Sequence, residues 1–367
     1  EILDLIRRLQ ARTGMAVMFI THDMGVVAEI ADDVVVMFRG RAVEAGPVDR
    51  IFHAAAQPYT RMLIATARKL EHRAPAKRPP RADAPTVLEV DGLAKRYTRT
   101  TGFLTRRRAH VDAVRGADLV LKEGETLGIV GESGSGKTTL GRCVIRMLDP
   151  SAGRIRYRRA DGSIVDLAGL DRRSLRPLYG EIRMIFQDPF GSLNPRMTVG
   201  QIIAEPLRNL GWDAGRTAAR VRDLLPMVGL EPGHAQRYPH AFSGGQRQRI
   251  GIARALAPEP RLIVADEATS ALDVSLRAQV LDLLLDLQAR LRLSFLFISH
   301  DIGVIRYLCD RVAVMYRGEI VETGDVEAVC DRPTHPYTRA LISAVPRADP
   351  RARGSAARIR YQPEAAA

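Results

Sequence analysis

The chain has 367 residues, of which 46% are hydrophobic and 26% charged, so it is long enough for two or three domains with buried cores and is not intrinsically disordered. Only five of its 55 basic residues are lysine, a bias that favours genome base composition over a nucleic-acid-binding surface as the origin of the formal net charge of +13, although the charge alone does not decide between them. No apolar run reaches the ~18 residues that a membrane-spanning helix needs.

The chain contains an internal repeat at an offset of 278 residues. Residues 20–26 (ITHDMGV) recur as residues 298–304 (ISHDIGV), and the match extends without a gap from residues 3 and 281 to residues 64 and 342. A period of this length indicates a duplicated domain rather than a solenoid. Because the first copy begins only at its equivalent of residue 279, we expect the sequence to be the C-terminal fragment of a longer tandem protein.

The repeat and the local composition predict four segments. Residues 1–70 are expected to be the C-terminal remnant of a first domain, and residues 87–333 a complete second domain. Residues 71–86 between them are rich in proline, alanine and charge and show no apolar period, which predicts an extended linker. Residues 334–367 are expected to form a C-terminal extension and tail.

The second domain alternates predicted strands and helices. Strands are expected at residues 86–90, 96–97 and 111–121, and residues 199–230 predict a helical region with a break at Gly211. The same domain contains three short apolar runs, which are typical of parallel strands covered on both faces. Amphipathic helices are predicted after two of these runs. This alternation predicts an α/β fold. The apolar runs are residues 126–130, 262–265 and 295–298, and the amphipathic helices are residues 137–148 and 276–291.

A phosphate loop is predicted after the first of these apolar runs, because residues 131–138 (GESGSGKT) fit the pattern G-x-x-x-x-G-K-[ST] between a strand and a helix. Glycines let backbone N–H groups surround phosphate groups, and the helix N-terminus adds a favourable dipole. Lys137 is predicted to bridge the β- and γ-phosphates, and the Thr138 hydroxyl to ligate Mg²⁺. The predicted nucleotide-binding residues here are Gly131, Glu132, Ser133, Gly134, Ser135, Gly136, Lys137, Thr138 and Thr139.

Two acidic residues follow the apolar run at residues 262–265. Asp266 is predicted to reach the Mg²⁺ shell, and Glu267 to hold a water molecule in line with the γ-phosphate. Taken alone, the pair is interpreted equally well as acidic residues at a helix N-terminus. The phosphate loop in the same chain favours the catalytic interpretation.

Residues 241–249 (AFSGGQRQR) resemble the signature motif of ATP-binding-cassette (ABC) ATPases, with Phe242 in place of the more common leucine. The resemblance covers residues 87–323 and implies an α/β fold of the P-loop NTPase cassette type, with a RecA-like mixed sheet, an antiparallel β subdomain and a helical signature subdomain. It also implies ATP and Mg²⁺ as ligands. The signature residues, which would grip the γ-phosphate of an ATP bound to a partner domain, are Ser243, Gly244, Gly245 and Gln246.

Four further elements of this family occur in its order. Tyr97 resembles the aromatic residue that stacks on adenine, and Gln187 resembles the Q-loop glutamine, which contacts Mg²⁺ and the attacking water. Asp273, in the sequence SALD, resembles the D-loop aspartate, and His300 the switch histidine that donates to the γ-phosphate. The resemblance therefore implies that the catalytic residues are Glu267, His300 and Gln187 and that the metal ligands are Thr138, Gln187 and Asp266.

Two segments resemble a particular group of these ATPases, those that power oligopeptide and dipeptide importers. They are residues 334–341 (THPYTRAL) and residues 186–195 (FQDPFGSLNP), and the first copy keeps PYTR at residues 58–61. Relatives in this group import nickel or glutathione, so the solute stays open between these and peptides. No cysteine follows Cys330, which argues against the iron–sulfur cluster that some members carry in this region.

The resemblance implies an ATP-hydrolysing subunit that lies peripherally on the cytoplasmic face of the inner membrane. Its implied partners are membrane permease subunits, a second ABC ATPase domain in tandem or in a homodimer, and indirectly an extracytoplasmic solute-binding receptor; no nucleic acid is expected. The alternative is a soluble tandem ABC ATPase that acts on ribosomes or nucleic acid. The short linker and the importer-type ending argue against this alternative.

Overall fold

The computed structural model describes residues 2–72, 74, 83–101, 107–188, 191–354 and 358–362, and at 99–101 and 107–109 it describes only the backbone. In this model the first repeat forms a small α/β unit. Its elements are α1 (Ile2–Thr13), α2 (Met24–Ile30), β1 (Asp33–Phe38), β2 (Arg41–Pro47), α3 (Val48–His53) and α4 (Pro58–Leu70). β1 and β2 form an antiparallel hairpin, and an apolar core that includes Ala28, Ile51 and Phe52 joins the hairpin to the helices.

The second repeat contains the remaining strands and helices. Strands and helices through the signature region are β3 (Thr86–Thr101), β4 (Arg107–Lys122), β5 (Thr126–Val130), α5 (Lys137–Val144), β6 (Ala152–Arg158), β7 (Ile164–Asp166), α6 (Arg172–Leu178), β8 (Ile182–Ile185), α7 (Val199–Asn209), α8 (Ala214–Met227) and α9 (Gly244–Leu256). They are followed by β9 (Leu262–Asp266), α10 (Val274–Leu291), β10 (Ser294–Ile298), α11 (Ile302–Leu308), β11 (Arg311–Tyr316), β12 (Glu319–Asp325), α12 (Val326–Asp331) and α13 (Pro336–Ser343).

A six-stranded sheet with the order β12-β11-β5-β10-β9-β8 forms the centre of the second repeat. Its strands pair in parallel except at the β11–β12 edge. Every residue of β5, β9 and β10 is buried, because helices cover both faces of the sheet. A separate antiparallel sheet has the order β4-β3-β6-β7, and α7, α8 and α9 pack together as a helical region. This arrangement confirms the predicted fold class.

The predicted strands at residues 86–90 and 96–97 are parts of one continuous strand, β3, and the predicted strand at residues 111–121 lies within β4. The predicted helix at residues 137–148 ends at Val144, because Arg146 adopts a left-handed φ of 58° and its N–H bonds to the carbonyl of Cys143. The predicted break near Gly211 is confirmed between α7 and α8. Most of the expected linker, residues 73 and 75–82, lies outside the described residues, as do Pro189 and Phe190 and, in the tail, residues 355–357 and 363–367.

The two repeats share their strand register. Both hairpins carry a bulge at equivalent positions, between Val36 and Met37 in the first repeat and between Val314 and Met315 in the second. On its other side β11 pairs with β5, whereas β1 pairs only with β2 within the described residues.

Residues 15–20, a strand-sized apolar run in the first repeat, are not in a strand. Their counterpart is β10, which pairs with β5 and β9. The described part of the first repeat contains no strand equivalent to β5 or β9, so Met18 and Ile20 are 87% and 92% exposed.

Among the described residues, no helix combines the length and the apolar character required to cross a bilayer. All three cysteines are buried, and none of them takes part in a disulfide.

Candidate functional site

The candidate site lies at the carboxyl end of the central sheet. Gln187 follows β8, Glu267 follows β9 and His300 follows β10, and these three parallel strands are neighbours. Carboxyl ends of parallel strands meet at one edge of a sheet, so residues that are far apart in sequence come together there. The phosphate loop follows β5, which pairs with β10, and therefore lies at the same edge.

Two glycines of the phosphate loop allow a close approach of neighbouring backbone. Gly131 has φ +153° and Gly136 has φ +106°. A Cβ atom at these positions would lie 2.1 Å from the carbonyl oxygen of Met315 and 2.2 Å from that of Ala113, so no other residue fits. The loop is therefore wedged between β11 and β4, with Glu132, Ser133 and Gly134 exposed at its tip, Ser135 buried and Thr139 in the first turn of α5.

The amine of Lys137 lies inside the loop. Its Nζ atom donates hydrogen bonds of 2.7 Å to the carbonyl oxygens of Gly131 and Glu132, and the residue is 5% exposed. Burial lowers the pKa of Lys137, while the negative charges of Glu267 and Asp266 oppose this shift. A cation at this position is directed at any phosphate that the loop N–H groups bind.

Asp266 is the buried acid of the site. Its Oδ1 atom accepts a hydrogen bond of 2.9 Å from the hydroxyl of Thr138, and the residue is 1% exposed. Among the described residues its Oδ2 atom is buried without a hydrogen-bond partner, and the guanidinium of Arg142 is 4.0 Å away. Burial raises the pKa of Asp266, although Thr138 and Arg142 lower it. A carboxylate oxygen left in this state is stabilised by a cation.

The residues present fit Mg²⁺. Mg²⁺ prefers oxygen ligands, usually one or two carboxylates together with waters and phosphate oxygens. The unpartnered Oδ2 of Asp266 and the hydroxyl of Thr138 supply such oxygens beside the loop. Gln187 uses its Nε2 atom in a hydrogen bond to Glu267, which leaves its amide oxygen for a cation.

Glu267 joins the Gln187 and His300 side chains. Its Oε2 atom accepts a hydrogen bond of 2.7 Å from Gln187 Nε2, and its Oε1 atom lies 3.0 Å from His300 Nδ1. The side chain of Glu267 is 16% exposed and that of His300 56%. Glu267 itself adopts a left-handed φ of 46°, and its N–H bonds to the carbonyl of Ile298. The carboxylate is thus held between two polar groups, an arrangement that can orient a water molecule.

Tyr97 lies on the antiparallel sheet that borders the loop. It pairs with Val111, and Ala113 on the same strand β4 contacts Gly136 of the loop. The Tyr97 side chain is 40% exposed, and Lys95 Nζ is 5.3 Å from the centre of its ring. An exposed ring beside a phosphate-binding loop can stack on a nucleobase.

The signature motif is formed apart from the phosphate loop. Ser243 caps α9: its Oγ atom accepts from the Gln246 N–H at 3.4 Å, and its own N–H donates to Gln246 Oε1 at 3.0 Å. Within the described part of the chain, neither residue hydrogen-bonds to the loop. A Cβ atom at Gly245 would lie 3.1 Å from Leu276. The N–H groups of Gly244 and Gly245 lie in the first turn of α9, where a helix N-terminus favours an anion.

Asp273 has a structural contact of its own. Its Oδ1 atom accepts from the N–H of Leu276 at 2.9 Å and from the hydroxyl of Ser275 at 2.8 Å, so Asp273 caps α10. The structure does not join it to Glu267 or Lys137 by a hydrogen bond among the described residues. Asp273 and the signature residues are thus the predicted nucleotide-binding residues that lie apart from the loop.

One residue of the site was missed by the sequence reasoning. The N–H of Glu132 donates a 3.1 Å hydrogen bond to the hydroxyl of Tyr337, which lies on α13 and is 2% exposed. The signal was present, since residues 58–61 and 336–339 both read PYTR, but the repeat gives no indication of which element this tyrosine contacts.

Comparison with known proteins identifies the class. Residues 114–270 match the family profile described as ABC transporter. The fold is similar to the dimeric post-hydrolysis state of the ATP-binding cassette MJ0796 with ADP and Pi, with a TM-score of 0.56 and 28% identity over 65% of this chain and 98% of that one. It is also similar to cbiO1 from Clostridium perfringens, part of the cbiONQ transporter complex, with a TM-score of 0.56 and 28% identity over 67% and 91% of the two chains. The chain belongs to the ATP-binding cassette family of P-loop NTPases.

Within this family the chain has the importer-type ending of one group. Residues 43–99 and 321–367 match the C-terminal region of oligopeptide/dipeptide transporters. The chain is 50% identical over 372 residues to the glutathione import ATP-binding protein GsiA of Salmonella paratyphi A, and 50% identical over 374 residues to GsiA of Escherichia coli K12. Each match covers 95% of this chain and 59% of the relative, so the chain spans about three fifths of the length of these relatives. The predicted family is confirmed, and the comparisons give no support to a role on ribosomes or nucleic acid.

Proposed function

We propose that the chain is the ATP-hydrolysing, energy-coupling subunit of an ABC importer for peptides or peptide-like solutes. The observation that carries this proposal is the Glu267 carboxylate, held between Gln187 and His300 at the edge of the sheet that also carries the phosphate loop. The relatives named for glutathione import, and the two segments similar to oligopeptide/dipeptide transporters, support the transport role.

In the proposed reaction the γ-phosphoryl group of ATP passes to water. Lys137 and the loop N–H groups bind and orient the phosphates, and Glu267 holds the attacking water while His300 donates to the γ-phosphate. Thr138, Asp266 and Gln187 would hold Mg²⁺, which would supply neutralisation of the phosphate charge. Positioning and charge stabilisation provide the catalysis, and no covalent intermediate on the protein is needed.

A complete site is proposed to need a second cassette. The signature helix begins at an exposed Ser243 that is not joined to the phosphate loop of its own domain, and Asp273 is likewise apart from it. Two cassettes arranged head to tail bring the signature of each one to the ATP of the other. ATP-driven closure of that pair then supplies the movement that permease subunits use.

Residues 1–70 are proposed to be the C-terminal part of such a second cassette. α1, α2, the β1–β2 hairpin and α4 follow the same order as α10, α11, the β11–β12 hairpin and α13. The equivalent bulges at Val36 and Val314 support a common fold. The exposed edge of β1 then corresponds to the edge of β11 that pairs with β5.

A groove near Gln187 is proposed to receive a cytoplasmic segment of a permease subunit. The groove has a volume of about 360 Å³, and Phe186, Tyr179 and Leu210 supply apolar parts of its lining. Arg254, also in the lining, has its pKa lowered by burial. Because Phe186 precedes Gln187 directly, a segment bound in this groove contacts the chain that reaches Glu267. The proposed location is therefore the cytoplasmic face of the inner membrane, with an extracytoplasmic receptor as an indirect partner.

Solute uptake tests this proposal. Cells that lack the gene for this chain should lose uptake of labelled glutathione, of labelled dipeptides or of both, and the wild-type gene should restore it. A gene with Glu267→Gln should produce the protein without restoring uptake. If uptake of these solutes is unchanged without the gene, or if Glu267→Gln restores it fully, the proposed function is wrong.

A further inference from the structure

The C-terminal end of the first repeat docks on the second repeat. Leu70, the last residue of α4, is 7% exposed and belongs to the apolar cluster that contains Ile302 and Tyr307 of α11. Lys69 Nζ lies 2.8 Å from Asp282 Oδ2 on α10, and the N–H of Ala74 bonds to the carbonyl of Tyr307 at 3.2 Å. We call residues 58–74 the first extension.

The C-terminal end of the second repeat docks in turn on the first repeat. Ala348 is 5% exposed and belongs to the apolar cluster of the first repeat. Arg353 donates hydrogen bonds of 2.9 Å and 2.6 Å to the carbonyl oxygens of Ala28 and Ala31 at the end of α2. Arg351 forms a two-point ion pair with Asp49 of α3, at 2.8 Å and 3.1 Å. We call residues 336–354 the second extension.

The two docking contacts are equivalent under the repeat. Leu70 and Ala348 differ by the offset of 278 residues, and each is buried in the core of the other repeat. Gly25 and Gly303 differ by the same offset and come close to opposite extensions. A Cβ atom would lie 2.8 Å from the carbonyl oxygen of Pro346 at Gly25, and 3.2 Å from that of Leu70 at Gly303.

The extensions also contact each other where they cross. The N–H of Ala348 in the second extension donates a 2.9 Å hydrogen bond to the carboxylate of Glu71 in the first. None of the residues that make these contacts belongs to the phosphate loop or to the Gln187–Glu267–His300 group. Both Gly25 and Gly303 lie three residues after the histidine of their repeat, His22 or His300, so each extension contacts the segment that follows the histidine of the opposite repeat.

We propose that the two extensions form a crossed clasp, an interaction surface that holds the two repeats together whether or not nucleotide is bound. The first extension contacts the opposite repeat through buried Leu70 and Ala74 and the second through buried Ala348, each with flanking polar bonds. Because these contacts lie outside the nucleotide site, the repeats can move about the clasp without separating. This inference goes beyond the proposed function, because it concerns whether the two repeats stay bound to each other and not whether they hydrolyse ATP.

The test is to cut the folded full chain between the repeats and to measure whether the two pieces remain bound. A site-specific protease sequence is inserted between residues 78 and 79, and the cleaved protein is analysed by size-exclusion chromatography and titration without nucleotide or Mg²⁺. The wild-type pieces should stay together. Leu70→Asp and Ala348→Asp should each weaken their association by about tenfold or more, because each buries an unpaired charge.

Matched controls separate docking from misfolding. Met62→Asp places the same charge on α4 at a position that is 43% exposed, and Val345→Asp does so within the second extension at 40% exposure. Both controls should leave association unchanged. Arg353→Ala, which removes the bonds to Ala28 and Ala31 without burying a charge, should also weaken it. Separation of the wild-type pieces without nucleotide, or equal weakening by Met62→Asp and Leu70→Asp, would overturn the clasp; neither result bears on ATP hydrolysis or solute uptake.

Discussion

The backbone N–H of Glu132 donates a 3.1 Å hydrogen bond to the hydroxyl of Tyr337, so the phosphate loop is joined directly to a residue that follows it by 205 positions. The Tyr337 ring is buried and packs against Tyr316, with 4.3 Å between ring centres. The importer-type C-terminal region therefore contacts the nucleotide site itself and holds the loop in place through one of its own N–H groups.

Tyr337→Phe should weaken ATP binding. The change keeps the buried ring but leaves the Glu132 N–H without its partner, and a hydrogen bond of this kind contributes roughly 0.5–1.5 kcal/mol. We expect an increase of about two- to tenfold in the Kd of a fluorescent ATP analogue. Tyr361→Phe is the control, since Tyr361 packs against the same Tyr316 ring. Equal loss in both variants would show that ATP binding does not depend on the bond between Tyr337 and Glu132.

Glu267→Gln should retain binding of Mg-ATP while turnover falls by ~10²–10⁴-fold. The amide keeps the size of the side chain between Gln187 and His300 but cannot take up a proton from the attacking water. Steady-state phosphate release and equilibrium nucleotide binding measure the two effects separately. Glu259→Gln, on an exposed side chain outside the site, is the control and should leave both unchanged. Wild-type turnover in Glu267→Gln would exclude this residue as the catalytic one.

Lys137→Ala and Tyr97→Ala should differ in their effect on nucleotide binding. The first removes the buried cation that faces the β- and γ-phosphates, whereas the second removes a stacking contact of roughly 1–3 kcal/mol. Isothermal titration should therefore show the larger loss for Lys137→Ala, and GTP should bind nearly as well as ATP because stacking tolerates either purine. Small and equal effects would mean that the loop is not the phosphate site.

The ATPase activity of the 367-residue chain should rise more steeply than linearly with its concentration. The chain carries one phosphate loop and one signature motif, and the structure does not join Ser243 to Lys137 in the described residues. Under the proposed function, a complete site requires the signature of a second molecule. Phosphate release measured over a dilution series, alongside the mass of the protein by light scattering, tests this expectation.

The histidines of the two repeats supply a matched control for that experiment. His300 contacts Glu267, whereas His22 lies 3.5 Å from the guanidinium of Arg277 and has no phosphate loop in its own repeat within this sequence. His300→Ala should lower turnover strongly and His22→Ala should not. High activity per molecule in a dilute monomer, or a strong loss in His22→Ala, would contradict the shared-site interpretation.

Asp266→Asn should stabilise the protein near neutral pH while removing its Mg²⁺-dependent hydrolysis. Burial raises the pKa of Asp266 above its ordinary value of 3.8, so the folded chain binds this proton more tightly than the unfolded chain does. The free energy of unfolding therefore falls as the pH rises from 3.8 through the raised pKa, and the full cost is present at pH values above both. Thermal unfolding measures this effect: the Tm of the variant minus the Tm of wild type should be larger at neutral pH than at low pH.

Asp112→Asn gives the opposite sign and serves as the control. The Arg96 hydrogen bond lowers the pKa of Asp112, so this carboxylate stabilises the folded chain above its ordinary pKa of 3.8 and loses that effect as the pH falls through the lower folded value. Its replacement should slightly lower Tm at neutral pH without affecting hydrolysis. A lower Tm in Asp266→Asn would show that the buried carboxylate is compensated in the folded chain.

The sequence alone predicted the fold class and the alternation of strands and helices. Among the predicted site residues, the structure brings Gln187, Glu267 and His300 together at one edge of the sheet. Short-range patterns explain this agreement: a glycine-rich loop between a strand and a helix is typical of phosphate binding, and Asp266 and Glu267 follow a run apolar enough to be a buried strand. The repeat at residues 20–26 and 298–304 also required nothing but comparison of the chain with itself.

The tertiary structure decided the contacts that depend on how distant elements pack. Sequence patterns did not indicate that Tyr337 bonds to Glu132, or that Leu70 and Ala348 are each buried in the opposite repeat. Residues 15–20 have the composition of a buried strand, yet they are exposed because a strand is completed by its neighbours, and the described first repeat offers none equivalent to β5 or β9. The residues themselves set the local propensity for a strand, whereas strand pairing and burial depend on the neighbouring strands and helices.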